Sequence, residues 1–180
     1  MRRFACLLLF AALAALAQVP IEPEINDIFY AIPKDGSAKL VSLERQQITI
    51  HSKASGFIVM GMKTTSEIAG GESPVRFKAG EPLAFVVRSA FAASAVDPNT
   101  FYGLRLLHAK KKKREIVFMT GHVSPLGAST KEDLSEGVLG LEFSKYGTSS
   151  YKVTTPVLKP GEYALGRATM PQVVYCFGVD

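Results

Sequence analysis

Lys110, Lys111, Lys112, Lys113 and Arg114 form the longest run of like charge in this 180-residue chain. Five cations at a hairpin end attract phosphate or sulfate groups within about one Debye length, ~8 Å. The same run also serves as a solvated guard against edge-to-edge strand pairing. No aromatic residue lies between Lys110 and Glu115, so the base-stacking half of nucleic-acid recognition is missing and nucleic acid is disfavoured. Acidic polysaccharide and lipopolysaccharide are the partners this charge fits; an envelope protein or a glycan would instead meet the loops.

Catalytic chemistry finds little in the same chain. No Gly-x-Ser-x-Gly elbow is present, and Cys176 sits in an apolar stretch with no histidine beside it in sequence. Ser149-Ser150-Tyr151-Lys152 matches Ser-x-x-Lys formally. That pairing needs a helical turn, however, and in a strand positions i and i+3 face opposite ways. The three histidines, His51, His108 and His122, are far apart, without His-Glu-x-x-His or a cysteine pair, so no metal and no cofactor are expected. Asp97-Pro98-Asn99 reads as an Asx turn. Glu67, Glu72, Glu81 and Asp97 occupy expected loops; if they converged they would make a hydrolase or lyase, which is the alternative to a non-catalytic module.

The elements that would position these groups are short strands. Apolar stretches rich in Val, Ile, Phe and Tyr recur between turn residues, as expected of a sandwich or barrel. Residues 28–32 and 39–43 flank Pro33-Lys34-Asp35-Gly36, and residues 47–51 and 57–62 flank Ser55-Gly56. Residues 75–78 and 83–90 flank another turn, and later strands are expected at 138–143, 151–154, 163–167 and 173–179. Thr130 with Asp133 three residues on, closed by Gly137, predicts at most one short helix.

The basic run centres a hairpin over residues 101–122. With its turn between Lys111 and Lys112, His108 faces Glu115, Leu106 faces Val117 and Leu104 faces Met119. Tyr102, Leu104 and Leu106 then share an apolar face toward the core, and the opposite face, with Arg105, Leu107 and Ile116, is mixed. All four lysines and Arg114 are expected in water.

Leu158-Lys159-Pro160-Gly161-Glu162-Tyr163 is the most specific string. Pro160 and Gly161 predict a type II turn, with Leu158 plugging the core and Tyr163 turned inward, its hydroxyl bonded to the backbone just upstream. This resembles the tyrosine corner of Greek-key sandwiches, found in fibronectin type III and immunoglobulin-like domains. More loosely, residues 23–30, 160–165 and 175–180 resemble a group of secreted bacterial proteins. That likeness implies export and fold and assigns no functional residue.

Arg2 and Arg3 precede a charge-free apolar run that ends in Ala15-Leu16-Ala17, the pattern of a cleaved signal peptide. Residues 1–17 are thus expected as signal, 18–27 as an extended lead-in and 28–180 as one domain. The run is shorter than the roughly 20 residues that span a bilayer. Removing Arg2 and Arg3 lowers the formal net charge from +5 to +3. Removing Cys6 leaves Cys176 as the only cysteine, so the domain is disulfide-free and Cys176 is expected buried and inert. The expected protein is an all-β, single antiparallel Greek-key sandwich of immunoglobulin-like type. It would be secreted or periplasmic and would act as a non-catalytic binding or structural module for a polyanion or glycan.

Overall fold

The apolar stretches fold as strands in a computed structural model that describes residues 20–35, 37, 39–55, 60–92, 94, 96–124, 127–132, 137–169 and 171–180. The expected leader lies outside them. In chain order the strands are β1 (Phe29–Ala31), β2 (Val41–Ser42), β3 (Glu44–Gln47), β4 (Thr49–Ser55), β5 (Met60–Ala69), β6 (Arg76–Phe77) and β7 (Pro82–Arg88). They continue with β8 (Tyr102–Lys110), β9 (Lys113–Ser124), β10 (Gly127–Glu132), β11 (Val138–Leu139), β12 (Glu142–Tyr146), β13 (Ser150–Val157), β14 (Gly161–Arg167) and β15 (Val173–Val179). One 3-10 turn, Pro98–Thr100, is capped by the Asp97 carboxylate, which accepts from the Asn99 amide. No described helix is long and apolar enough to cross a membrane.

Two sheets pack face to face. The smaller has the order β12-β13-β7-β1-β2; the larger follows β3-β15-β14-β8-β9-β5-β4, with β6, β10 and β11 attached at its side. Only Ile48 separates β3 from β4, so one continuous segment starts the path of the larger sheet and also finishes it. That continuity rolls the larger sheet into a nearly closed barrel.

Strand alternation then fills two interiors. On β15, Tyr175, Phe177 and Val179 point into the sandwich core with Phe29, Phe85, Val153, Leu104 and Leu165. Val174 and Cys176 point the other way, into the barrel, with Ile68, Leu107, Ile116 and Ala164. Both faces of this strand are therefore buried, which is why residues 173–179 read as an almost unbroken apolar run. Each large side chain so buried contributes about 1.5–3 kcal/mol. The Cys176 thiol, pushed up to about 12 by burial, is an inert packing group and forms no disulfide.

The corner at residues 158–163 forms. Leu158 and Tyr163 are buried, and the Tyr163 hydroxyl donates to the Lys159 carbonyl at 2.7 Å. The expected type II turn does not form, because Gly161 is not at positive φ and already belongs to β14. Close approach favours glycine there: a Cβ would lie 3.2 Å from Leu106 Cδ1, tighter than an ordinary contact, and 3.6 Å from the Tyr163 ring.

The expected short helix is corrected. Thr130 lies in β10, paired with Gly121, so no helix starts there; Asp133 is outside the described residues. Residues 76–77 do not pair back on β7 but run parallel to β15, so the turn before β7 carries the chain from one sheet to the other.

The basic hairpin holds only at its tip. His108 faces Glu115, Ala109 faces Arg114 and Lys110 faces Lys113, in the expected register. Beyond Glu115 the strands part. β8 pairs with β14 and, at Leu104 and Arg105, with β11, while β9 pairs with β5 and β10. Leu104 thus faces Leu165 and Leu139 rather than Met119. Leu106 is 41% exposed, whereas Leu107 and Ile116 of the expected mixed face are buried in the barrel.

Candidate functional site

The five basic residues do not act as one patch. Arg114 is fully buried, which overturns the expectation that it caps the hairpin in water. Its guanidinium enters the barrel, gripping Glu44 at 2.8 and 2.9 Å and donating to the Gly70 and Ala69 carbonyls. Glu162 lies 3.5 Å away, accepts from the Ser73 amide, and is itself held by Arg76, which also pairs with Asp180. Burial works against the Arg114 charge, but the Glu44 carboxylate more than restores it.

Lys110 and Lys113 both pair with Glu115, and Lys113 also reaches Glu67 at 2.5 Å. Hydrogen bonds from Lys110 and Lys113 hold the Glu115 carboxyl down at about 2. The loop at Gly70–Gly71 docks on the tip, so close that a Cβ on Gly71 would lie 2.5 Å from the Lys110 carbonyl. Among the described residues, Lys111 and Lys112 are left exposed without an ion partner.

The other singled-out groups are scattered. Glu67 serves Lys113 and His51, Glu81 pairs with Lys34, and Asp97 caps its own turn. Ser149 and Ser150 bond to Glu22 rather than to a lysine. Among the described residues, no three His, Cys, Asp or Glu side chains gather as metal ligands.

A different set of groups does converge. A cleft of about 420 Å³ opens at one end of the sandwich, lined by Asn26, Asp27, Arg45, Arg167, Gln172 and Tyr175 among others. Strand register builds it. Arg45 on β3 stands directly opposite Tyr175 on β15, and Arg167 on β14 directly opposite Tyr102 on β8. Directly opposed residues share a face, so each arginine lies beside a tyrosine whose ring is sunk in the core. Phe29 joins the two rings, its centroid 5.4 Å from Tyr102 and 5.8 Å from Tyr175, and makes a rigid floor.

Asp27 anchors one side. It is the one described non-glycine residue at positive φ, 61°, a conformation that costs energy and gathers at functional sites. Its amide donates to the Arg88 carbonyl. One carboxylate oxygen accepts from the Tyr102 hydroxyl at 2.5 Å and the other from Arg167 at 2.8 Å. Burial, then the bond to Asp27, push the Tyr102 phenol far above its ordinary value. Burial also raises the Tyr175 phenol, opposed by the positive charge of the neighbouring Arg45. Arg45 is exposed and, among the described residues, pairs with no carboxylate; its neighbour is Tyr175, directly opposite on β15.

The comparisons with known proteins matched no family model, no curated protein and no solved structure. No role therefore carries over to any residue of this chain.

The cleft residues escaped the sequence reading because no spacing rule joins positions 27, 45, 102 and 167. The one available signal was Asn26-Asp27, a pair that tolerates left-handed backbone, set just before the first strand.

Proposed function

We propose that this protein is an exported, non-catalytic binding module of the cell envelope or extracellular space, and that it takes a glycan in the cleft beside Arg45. The observation that carries this reading is an exposed guanidinium without a carboxylate partner among the described residues, held over an aromatic floor next to a strained aspartate. A site with convergent polar groups on an apolar base is the usual form of a small-ligand pocket.

The non-catalytic part is supported by Asp27. Both of its oxygens are engaged, by Tyr102 and Arg167, so the cleft's carboxylate is spent on structure and not poised as a general base. A second groove, of about 450 Å³ between Ile32, Val41 and Phe77, is a weaker candidate. Two of its three cations are already paired, Lys34 with Glu81 and Arg76 with Glu162 and Asp180, which leaves Lys78 among the described residues. Export is supported by the leader pattern of residues 2–17, and an immunoglobulin-like Greek key by the corner of Leu158 and Tyr163. Lys111 and Lys112 support a salt-dependent accessory contact to acidic polysaccharide or lipopolysaccharide. Heparin retention unchanged by Lys111→Gln with Lys112→Gln discards that contact.

The test is a thermal-shift and glycan-array screen of the purified protein beside Arg45→Gln. A ligand at 100 times its Kd stabilises the fold by about 2.7 kcal/mol. Stabilisation by a glycan that the variant loses supports the reading. Turnover of the bound glycan, or binding that ignores Arg45, overturns it.

A further inference from the structure

Cleft charge and backbone pairing together narrow the ligand. Arg167 is compensated by Asp27 at 2.8 Å, whereas Arg45 has no acidic partner among the described residues. The cleft therefore offers one uncompensated positive charge, which matches one negative charge on a ligand. A guanidinium donates through a planar fork, and the planar acceptor of the same geometry is a carboxylate.

The backbone argues against a peptide as the bearer of that carboxylate. Sheet proteins capture extended peptides by adding a strand to an open ladder. Here the ladder on the β15 side of Arg45 is closed: residues 173–176 pair with β3, and Gly166 and Arg167 pair with Gly103 and Tyr102, while the open edge of β3 lies on the side away from β15. What remains are side chains: the amides of Asn26 and Gln172 and the apolar surface of Pro171, Val173 and Tyr175. Amides beside an apolar face suit a sugar ring, which presents hydroxyls around a C–H face.

Resting on the glycan-binding reading above, we infer that the cleft recognises a uronic-acid unit of an acidic glycan. Arg45 clamps the sugar carboxylate beside the Tyr175 hydroxyl, and Asn26 and Gln172 take ring hydroxyls. Arg167 stays with Asp27 and shapes the wall.

The experiment is a titration of the isotope-labelled protein followed by nuclear magnetic resonance. The probes are a glucuronate-terminated disaccharide, its methyl ester, a neutral disaccharide of the same linkage, glucose 6-sulfate and an N-acetylated tripeptide with a free carboxylate. We expect the uronide to shift Tyr175, Gln172 and Asn26 and to bind roughly tenfold or more tighter than its methyl ester, since a charged hydrogen-bonded pair is worth at least about 1.4 kcal/mol. Arg45→Gln is expected to erase that preference. Arg45 is exposed and on an edge strand, so the variant keeps its fold, which the spectrum itself checks. Equal affinity for uronide, ester and neutral sugar overturns the carboxylate inference but leaves the glycan-binding reading standing. Preference for the sulfate ester or the tripeptide overturns the uronate class. Absence of any sugar-induced shift at the cleft overturns both.

Discussion

Arg114 and Arg45 belong to the same sheet, yet each is treated by the fold in the opposite way. Arg114 is wholly buried and satisfied by Glu44, Glu162 and two backbone carbonyls. Arg45 is exposed and, among the described residues, has no carboxylate partner. A buried charge must be matched within the protein, because an unpaired one costs several kcal/mol. A charge at the mouth of a cleft is solvated until a ligand replaces the water. Location therefore separates a cation that closes the barrel from one left available for recognition.

The largest expected effect comes from breaking the buried side of that contrast. Arg114→Ala strands Glu44 and Glu162 in the barrel without their cation, and stability should fall by about 3–5 kcal/mol. Arg45→Gln removes an exposed charge and should stay within about 0.5 kcal/mol of the parent. Urea unfolding of both variants measures the difference. Equal losses would show that burial does not distinguish the two arginines.

That distinction marks where sequence reasoning succeeded and where it stopped. Local rules reached far: the buried Leu158–Tyr163 corner, the hairpins β1–β2 and β4–β5, the Asx turn at Asp97 and the tip register of β8 with β9 all follow from neighbouring residues. Non-local competition defeated the rest. β14 and β11 capture β8, and β10 takes its place on β9, so Leu106 loses its cover although its alternation was read correctly. A run of four lysines and an arginine looks solvated, and nothing near position 114 announces Glu44, 70 residues away, as a partner. The cleft was illegible for the same reason. Arg45 and Tyr175 meet only through a strand register that no local pattern encodes.

Asp27→Asn sharpens the comparison at an intermediate scale. Asparagine tolerates the left-handed backbone, so the turn survives, while the bonds to Tyr102 and Arg167 lose their charge. The expected cost is about 1 kcal/mol, since Arg167 is 57% exposed and its ion pair is screened. Freed of its counter-charge, Arg167 joins Arg45, and the cleft gains one positive charge. Anion preference should then move from the monoanionic uronide toward a dianionic sugar phosphate, read by competition between the two. An unchanged preference would mean that Asp27 does not set the charge of the cleft.

Glu22 supplies the finest test, because it is a hydrogen-bonded charge on the strap of residues 22–27 that leads into the cleft rather than in a core. Its carboxylate accepts from the Thr148 and Ser149 amides at 2.8 Å each and from the Thr148 and Ser150 hydroxyls. Burial opposes its ionisation, but these four bonds outweigh it and hold the group at about 2, against an ordinary value of 4.5. A carboxyl depressed in this way favours the docked strap fully above its ordinary value. The contribution fades as pH falls from about 4.5 toward 2. Between Glu22 and Asp27 the strap is held by Arg88, through the Pro23 carbonyl and the Asp27 amide. Undocking Glu22 should therefore loosen Asp27 locally without unfolding the sandwich. In the parent, the Thr148 and Ser149 amide resonances should titrate with a midpoint near 2. Glu22→Gln should flatten that titration and increase hydrogen exchange at the Asp27 amide, while the urea midpoint stays nearly constant. A midpoint near 4.5 in the parent would show that the latch is not formed in solution, and the cleft would lose the wall that Asp27 provides.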